Sequence, residues 1–158
     1  MARAVMATIV DAQAGRDTTE AYVETFEALL ADADFRGFLK LLGIGRFSLL
    51  AKRRMRRVFR ALCAGMWKLA LGHAVPERSV QAYEAWLAAQ MRSVSDTEGF
   101  RELLAEVARS LPGQASADFM PASRDMFARA GKEPDQASLM GMALYLRRLY
   151  EYFFNHIL

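Results

Sequence analysis

Apolar residues recur along this chain at steps of three and four, the spacing that places side chains on one face of an α-helix. Two stretches carry this pattern longest, one between residues 47 and 71 and one from about residue 134 to the end. The first contains the apolar positions Ala51, Met55, Val58, Leu62, Met66 and Leu69. The second contains Leu139, Met142, Leu146, Leu149, Tyr150, Phe153 and Ile157. Both therefore predict long helices that bury one side in a shared core.

Residues that start and stop helices divide the rest of the chain into shorter segments. Ser95 and Glu98 have the spacing of a capping box, and Asp34 is placed to cap a short helix. Gly72 is expected to end the first long helix, and Pro76 to open the next one. The helices are thus predicted to begin near residues 17, 35, 47, 76, 96, 121 and 134.

These segments predict an all-α fold, an irregular bundle of six or seven helices with a long basic central helix and a long C-terminal helix. Residues 17–158 are expected to form one domain, because a chain of 158 residues would be cramped as two. Residues 1–16 are expected to be a loosely ordered lead-in. Apolar residues make up 53% of the chain, which is enough for a buried core and excludes wholesale disorder.

Cysteine usage and the length of the apolar runs bear on the compartment. Cys63 is the only cysteine, so an internal disulfide cannot form, and this fits a reducing compartment. No stretch reaches the ~18 uncharged apolar residues that a membrane span requires. The apolar run 4–10 resembles a signal peptide only weakly, because Asp11 interrupts the approach to any cleavage site. We therefore expect a cytoplasmic protein without a transmembrane segment.

The net charge of +3 hides an uneven distribution along the chain. Residues 46–75 contain eight basic side chains and no acidic one, while residues 1–45 and 76–158 each carry a small negative net charge. Six of the eight fall within nine residues of the first long helix. These six are Lys52, Arg53, Arg54, Arg56, Arg57 and Arg60.

Five of these cations are predicted to share one face of the helix. At about 100° per residue, all of them except Arg54 fall within an arc of roughly 140°, opposite the apolar stripe. Trp67 lies in the same angular sector two turns further on. No acidic residue of this helix neutralises the face, so we expect Lys52, Arg53, Arg56, Arg57 and Arg60 to form a binding site for a polyanion.

Three interpretations of the basic face remain open. Arginine-rich faces suit bidentate contacts with the phosphates of RNA or DNA. Alternatively, the face pairs with protein carboxylates, and Glu20, Glu24 and Glu27 form an acidic stripe on the first helix with the spacing to reach it. In the third interpretation the face is simply solvated, as most charge runs are.

Groups that carry out acid–base or nucleophilic chemistry are sparse. His73 and His156 are the only histidines, and no nucleotide-binding or metal-binding motif accompanies them. Cys63 lies among apolar neighbours and is expected to be an inert core thiol. We therefore expect no enzymatic activity, no bound metal and no cofactor. His73 is interpreted as a histidine at a helix C-terminus, and the alternative is an axial haem ligand.

Aromatic side chains crowd the last turns of the C-terminal helix on more than one side. Termini are usually polar and frayed, so a helix that stays apolar to its tip indicates a docked neighbour. Tyr150, Tyr152, Phe153 and Phe154 are therefore predicted to form a partner interface, with a homo-oligomer as one arrangement.

Together these observations predict a non-enzymatic helical protein that works by association. Its basic helix, residues 46–68, is expected to contact nucleic acid or an acidic protein partner. One alternative is a helical pocket protein that binds haem or another apolar ligand, in the manner of a sensor. A second alternative is a peripheral protein that lies on a membrane surface. The sequence leaves the biological process, the partner and the oligomeric state open.

Overall fold

A computed structural model describes residues 18–113 and 117–157, which form seven α-helices and no β-strand within those two ranges. The helices are α1 (residues 18–32), α2 (Phe35–Leu41), α3 (Leu49–Ala74), α4 (Pro76–Ser93), α5 (Thr97–Ser110), α6 (Met120–Arg129) and α7 (Gln136–Ile157). The predicted all-α bundle is confirmed. The predicted lead-in, residues 1–16, lies outside the described residues.

Two short connections are closed by the same local device, an aspartate that caps the following helix. The Asp34 carboxylate accepts a hydrogen bond from the Gly37 amide at 2.8 Å, and the Asp96 carboxylate accepts one from the Gly99 amide at 3.1 Å. A Cβ atom at either glycine would collide with the capping carboxylate. Asp34 caps α2 as predicted, whereas the cap of α5 is Asp96 and not Ser95.

The long helix α3 continues past the glycine that was predicted to end it. Gly72 and His73 are still helical, and α3 ends at Ala74. Val75 leaves the helical region with φ −141° and ψ 67° because the ring of Pro76 disfavours a helical residue before it. His73 therefore lies in the last turn of α3 rather than beyond its end.

Helix α3 is the element on which α2, α4, α5 and α7 pack. Its first half buries Met55, Val58 and Leu62, as the apolar stripe predicts. The second half of α3 also buries the side on which the first half of the helix carries its cations. Trp67, predicted to share the cationic face, is fully buried, whereas Leu69 of the predicted inner stripe is half-buried. The change occurs because Phe26 of α1 and Trp86 of α4 pack against Trp67 on that side of α3.

The centre of the bundle is a cluster of aromatic rings from four helices. Phe26 of α1 stacks on Trp67 of α3 with 4.4 Å between ring centroids. Trp86 of α4 meets Phe26 edge-on at 5.2 Å, and Phe153 of α7 lies 5.8 Å away. All four rings are fully buried. Aromatic pairs at these distances add to the gain from burying their area, so this cluster joins α1, α3, α4 and α7.

We expect Phe26→Ala to lower the free energy of unfolding by about 3–5 kcal/mol, because it removes the central ring of the cluster and leaves a cavity. Phe47→Ala is the matched control, since the Phe47 side chain is 92% exposed. That substitution should change the stability by less than about 0.5 kcal/mol. Urea unfolding followed by circular dichroism measures both, and equal losses would contradict the assigned core.

Candidate functional site

Two of the five cations predicted to form an uncovered face are already paired with acids of the same molecule. The Arg57 guanidinium lies 3.4 Å from the Asp96 carboxylate, and that of Arg60 lies 3.5 Å from the Glu27 carboxylate. The expectation of a polyanion face without local acidic partners is therefore wrong at Arg57 and Arg60, and the alternative, pairing with a glutamate of the first helix, holds at Arg60. The acidic partners, Asp96 and Glu27, are remote in sequence, so the spacing of residues within α3 could not predict these ion pairs.

Arg60 belongs to a polar cluster that closes one side of the aromatic core. The Glu27 carboxylate accepts hydrogen bonds from the Trp86 indole N–H at 2.8 Å and from the Gln90 amide at 3.0 Å. Arg60 donates to the Gln90 side-chain oxygen and forms the ion pair with Glu27. Of the three glutamates that have the spacing to reach the basic face, Glu27 alone pairs with α3 within the described ranges. Arg60 thus has a structural role.

Arg56 and Arg57 also lie over aromatic rings of neighbouring helices. The Arg56 guanidinium is 4.9 Å from the centroid of the Phe35 ring, and the Arg57 guanidinium is 5.8 Å from that of Phe100. Such contacts orient a cation without neutralising it. Arg56 therefore keeps its charge on the surface, and its planar group is held against α2.

Four cations without an acidic partner in the described parts of the chain lie on the first two turns of α3. No carboxylate of the described residues lies within 4.0 Å of Lys52, Arg53, Arg54 or Arg56. Arg53, Arg54 and Arg56 are exposed, and Lys52 is half-buried. We call these four residues the free cations. They occupy fewer turns of α3 than the predicted face and lie nearer the N-terminus of the helix.

Three large apolar side chains stand out from the same end of α3. Phe47 is 92% exposed, Leu49 73% and Leu50 83%, so almost nothing packs against them. We call this group the apolar tip. Leu49 lies one helical turn before Arg53, and Leu50 one turn before Arg54, so the leucines continue the rows of the free cations. Sequence reasoning missed the tip, although both leucines fall outside the buried stripe of α3.

A cationic pocket lies beside the apolar tip. It is a cavity of about 480 Å³ between α2, the loop that follows it and the first turn of α3. Its lining consists of Arg36, Leu39, Lys40, Ile44, Arg46 and Lys52. Four of these six residues are basic and none is acidic. Three of the four cations come from outside the long helix, which is why the sequence did not predict the pocket.

His73, the candidate haem ligand, is engaged by a side chain of α7. Its Nδ1 atom lies 2.5 Å from the Tyr150 hydroxyl oxygen, and the two rings meet edge-on with centroids 6.0 Å apart. Haem binding stays a prediction. Within the described parts of the chain, no three histidine, cysteine or acidic side chains are grouped so that they would hold a metal ion.

Cys63 is completely buried in the core. Burial raises the pKa of its thiol far above the ordinary value, because a thiolate would be poorly solvated there. The predicted position of Cys63 in the core is thereby confirmed.

The aromatic residues of the C-terminal helix are used largely within the molecule. Phe153 is fully buried, so its assignment to a partner interface is wrong. The Tyr152 hydroxyl donates to the Leu29 carbonyl at 3.2 Å, and Tyr150 contacts His73. Phe154 is half-buried with its ring beside that of Tyr150. The neighbours that keep this helix apolar to its end are α1, α3 and the segment around Phe119. The predicted oligomer stays a prediction.

Comparison of the chain with protein-family models gives no match, and neither the curated proteins nor the solved structures contain a similar one. Across the described residues, every helix is too short or too polar to cross a membrane.

We expect Glu27→Ala to lower the free energy of unfolding by about 2 kcal/mol, because it leaves the buried Trp86 indole N–H without an acceptor. Glu27→Gln keeps an acceptor oxygen and loses only a half-exposed ion pair, so its cost should stay below about 1 kcal/mol. Glu24→Ala, at an exposed position of the same helix, serves as control. Equal losses for the two Glu27 variants in urea unfolding would show that the charge matters more than the hydrogen bond.

Proposed function

We propose that this protein attaches to the surface of an anionic membrane through the apolar tip and the free cations. The observation that carries the proposal is the exposure of Phe47, Leu49 and Leu50 beside cations that have no acidic partner among the described residues. Apolar groups that enter the interfacial layer of a bilayer, flanked by cations that meet anionic headgroups, are the two signals that stable peripheral binding requires.

The apolar and the electrostatic contributions to membrane binding are both large enough to matter. Removing a Leu or Phe side chain from water gains about 1.5–3 kcal/mol. Each Lys or Arg near an anionic leaflet adds about 1 kcal/mol at moderate ionic strength. Three apolar side chains and four cations therefore suffice for binding well above background, even when insertion of the tip is incomplete.

The N-terminus of α3 adds to this attraction. Its first turn contains no acidic residue, and the Ser48 side chain makes no capping hydrogen bond. The partial positive charge of a helix N-terminus is therefore not offset locally, and it lies at the apolar tip. An anionic surface stabilises this arrangement, whereas a neutral one does not.

The apolar tip favours a membrane over nucleic acid as the anionic partner. Nucleic-acid backbones offer phosphates to the free cations but no apolar surface to two exposed leucines. Phe47 offers a ring on which a base can stack, but Leu49 and Leu50 supply no such contact to a single strand. The predicted contact with nucleic acid or with an acidic protein stays a prediction, and the experiments below include both outcomes.

We expect Phe47→Ser combined with Leu50→Ser to reduce binding to vesicles of phosphatidylcholine and phosphatidylserine roughly a hundredfold. Each substitution removes at least about 1.5 kcal/mol of apolar transfer free energy. Flotation over a range of lipid concentrations measures the partition coefficient. The matched control is Met140→Ser with Leu144→Ser on α7, where the side chains are 54% and 56% exposed. A loss as large in the control, or no loss in the tip variant, would contradict the proposal.

We expect Arg53→Gln with Arg54→Gln to weaken binding to the same vesicles about thirtyfold at low salt, since two surface cations are removed. Arg109→Gln with Arg124→Gln makes the same change of charge at exposed positions on α5 and α6 and should have little effect.

Fluorescence anisotropy with RNA and DNA across a salt series tests the alternative partners in parallel. Nucleic-acid binding that is tighter than vesicle binding and indifferent to the tip variant would replace the membrane with nucleic acid. If a purified acidic protein bound more tightly than the vesicles and equally well to the tip variant, the partner would be an acidic protein instead of a membrane.

A further inference from the structure

We infer that the cationic pocket binds a dianionic phosphomonoester group, carried by the headgroup of a membrane lipid. The inference rests on the proposed membrane attachment for the origin of the ligand. The chemistry of the pocket does not depend on it, because a small soluble phosphomonoester presents the same group.

The pocket collects positive charge from three separate elements. Arg36 and Lys40 lie one turn apart on α2, Arg46 comes from the loop, and Lys52 from the first turn of α3. Like charges at such spacing repel one another. The fold therefore holds four cations around one cavity at a cost, and an anion within the cavity removes that repulsion.

The lining identifies the charge that the ligand should carry. None of the six lining residues is acidic. A phosphodiester brings a single negative charge, which leaves most of this excess unbalanced. A phosphomonoester brings about −1.5 to −2 and three strong acceptor oxygens near neutral pH. The guanidinium groups of Arg36 and Arg46 suit such oxygens because each offers a planar pair of donors.

The remaining lining residues favour a charged group over a base or a sugar ring. Leu39 is buried, Ile44 is half-buried, and they are the two apolar residues of the cavity wall. An apolar wall strengthens the attraction between the ligand and the cations by excluding part of the water. No aromatic side chain lines the cavity, so nothing there would stack on a nucleotide base. At about 480 Å³ the cavity holds a compact headgroup.

The position of the pocket relates it to the membrane. Arg46 immediately precedes Phe47 of the apolar tip, and Lys52 follows Leu50 by two residues. Consecutive Cα atoms lie only about 3.8 Å apart, so Arg46 and Lys52 of the cavity wall lie close to the apolar tip. A lipid phosphomonoester, which is located immediately outside the apolar layer of a bilayer, would therefore be near the cavity when the tip inserts.

The test compares two lipids at equal surface charge. Vesicles contain either phosphatidic acid, which carries a phosphomonoester, or phosphatidylserine, with the mole fractions adjusted to the same zeta potential. We expect the wild-type protein to prefer phosphatidic acid at least about tenfold, the size of one lost charge-assisted hydrogen bond. Arg36→Gln with Lys40→Gln should abolish the preference while the binding to phosphatidylserine falls far less. Arg46→Gln with Lys52→Gln should also abolish the preference, but it should weaken binding to both lipids, since Lys52 is one of the free cations. Arg109→Gln with Arg124→Gln should retain the preference.

A soluble probe separates the pocket from the membrane. Titration with glycerol 3-phosphate, followed by NMR, should shift amide signals around the pocket in the wild-type protein but not in the Arg36→Gln, Lys40→Gln variant. The Phe47→Ser, Leu50→Ser variant should lose vesicle binding and keep these shifts. Shifts in solution without any vesicle binding would support the pocket, assign it a soluble ligand and reject the proposed attachment. Vesicle binding without lipid preference and without shifts would overturn the pocket and leave the attachment intact. Thermal unfolding verifies that each variant is folded.

Discussion

The stacking of Phe26 on Trp67 brings α1 and α4 onto the second half of α3, and the distribution of charge follows from it. Glu27 is the next residue after Phe26, so the helix that fills the core also presents a carboxylate to Arg60. The same carboxylate satisfies the indole N–H of Trp86, which completes the core around the stacked rings. Core packing thereby explains why Arg60 is neutralised. The four free cations lie on the turns that precede this contact.

Helix α3 therefore combines two environments in one continuous segment. Its second half is enclosed by neighbouring helices, while its first turns carry the free cations and end in the apolar tip. An exposed apolar group and unpaired like charges each cost free energy in water. Both occur at one end of one helix, beside a cavity lined by four cations. In the proposed attachment, a single anionic layer with an apolar interior would relieve both costs.

Much of the fold could be predicted from the sequence because helical periodicity and capping are local. The seven helices, the cap at Asp34 and the burial of Met55 and Leu62 all follow from residues close in sequence. The burial of the side of α3 that holds Trp67 could not be predicted, since the helices that cover it come from distant parts of the chain. The same reason applies to the pairing of Arg57 with Asp96 and to the pocket that joins Arg36 with Lys52. The apolar tip could have been found, because Leu49 and Leu50 fall outside the predicted stripe.

The length of α3 has a geometric consequence for whatever binds the rest of the molecule. Its 26 residues span about 39 Å at 1.5 Å per residue, and Val75 alone separates it from α4. If α3 stood upright on a membrane by its first turn, as the proposed attachment allows, its other end would lie several Debye lengths from the lipid phosphates. Salt would then screen that end of the bundle from the charge of the bilayer.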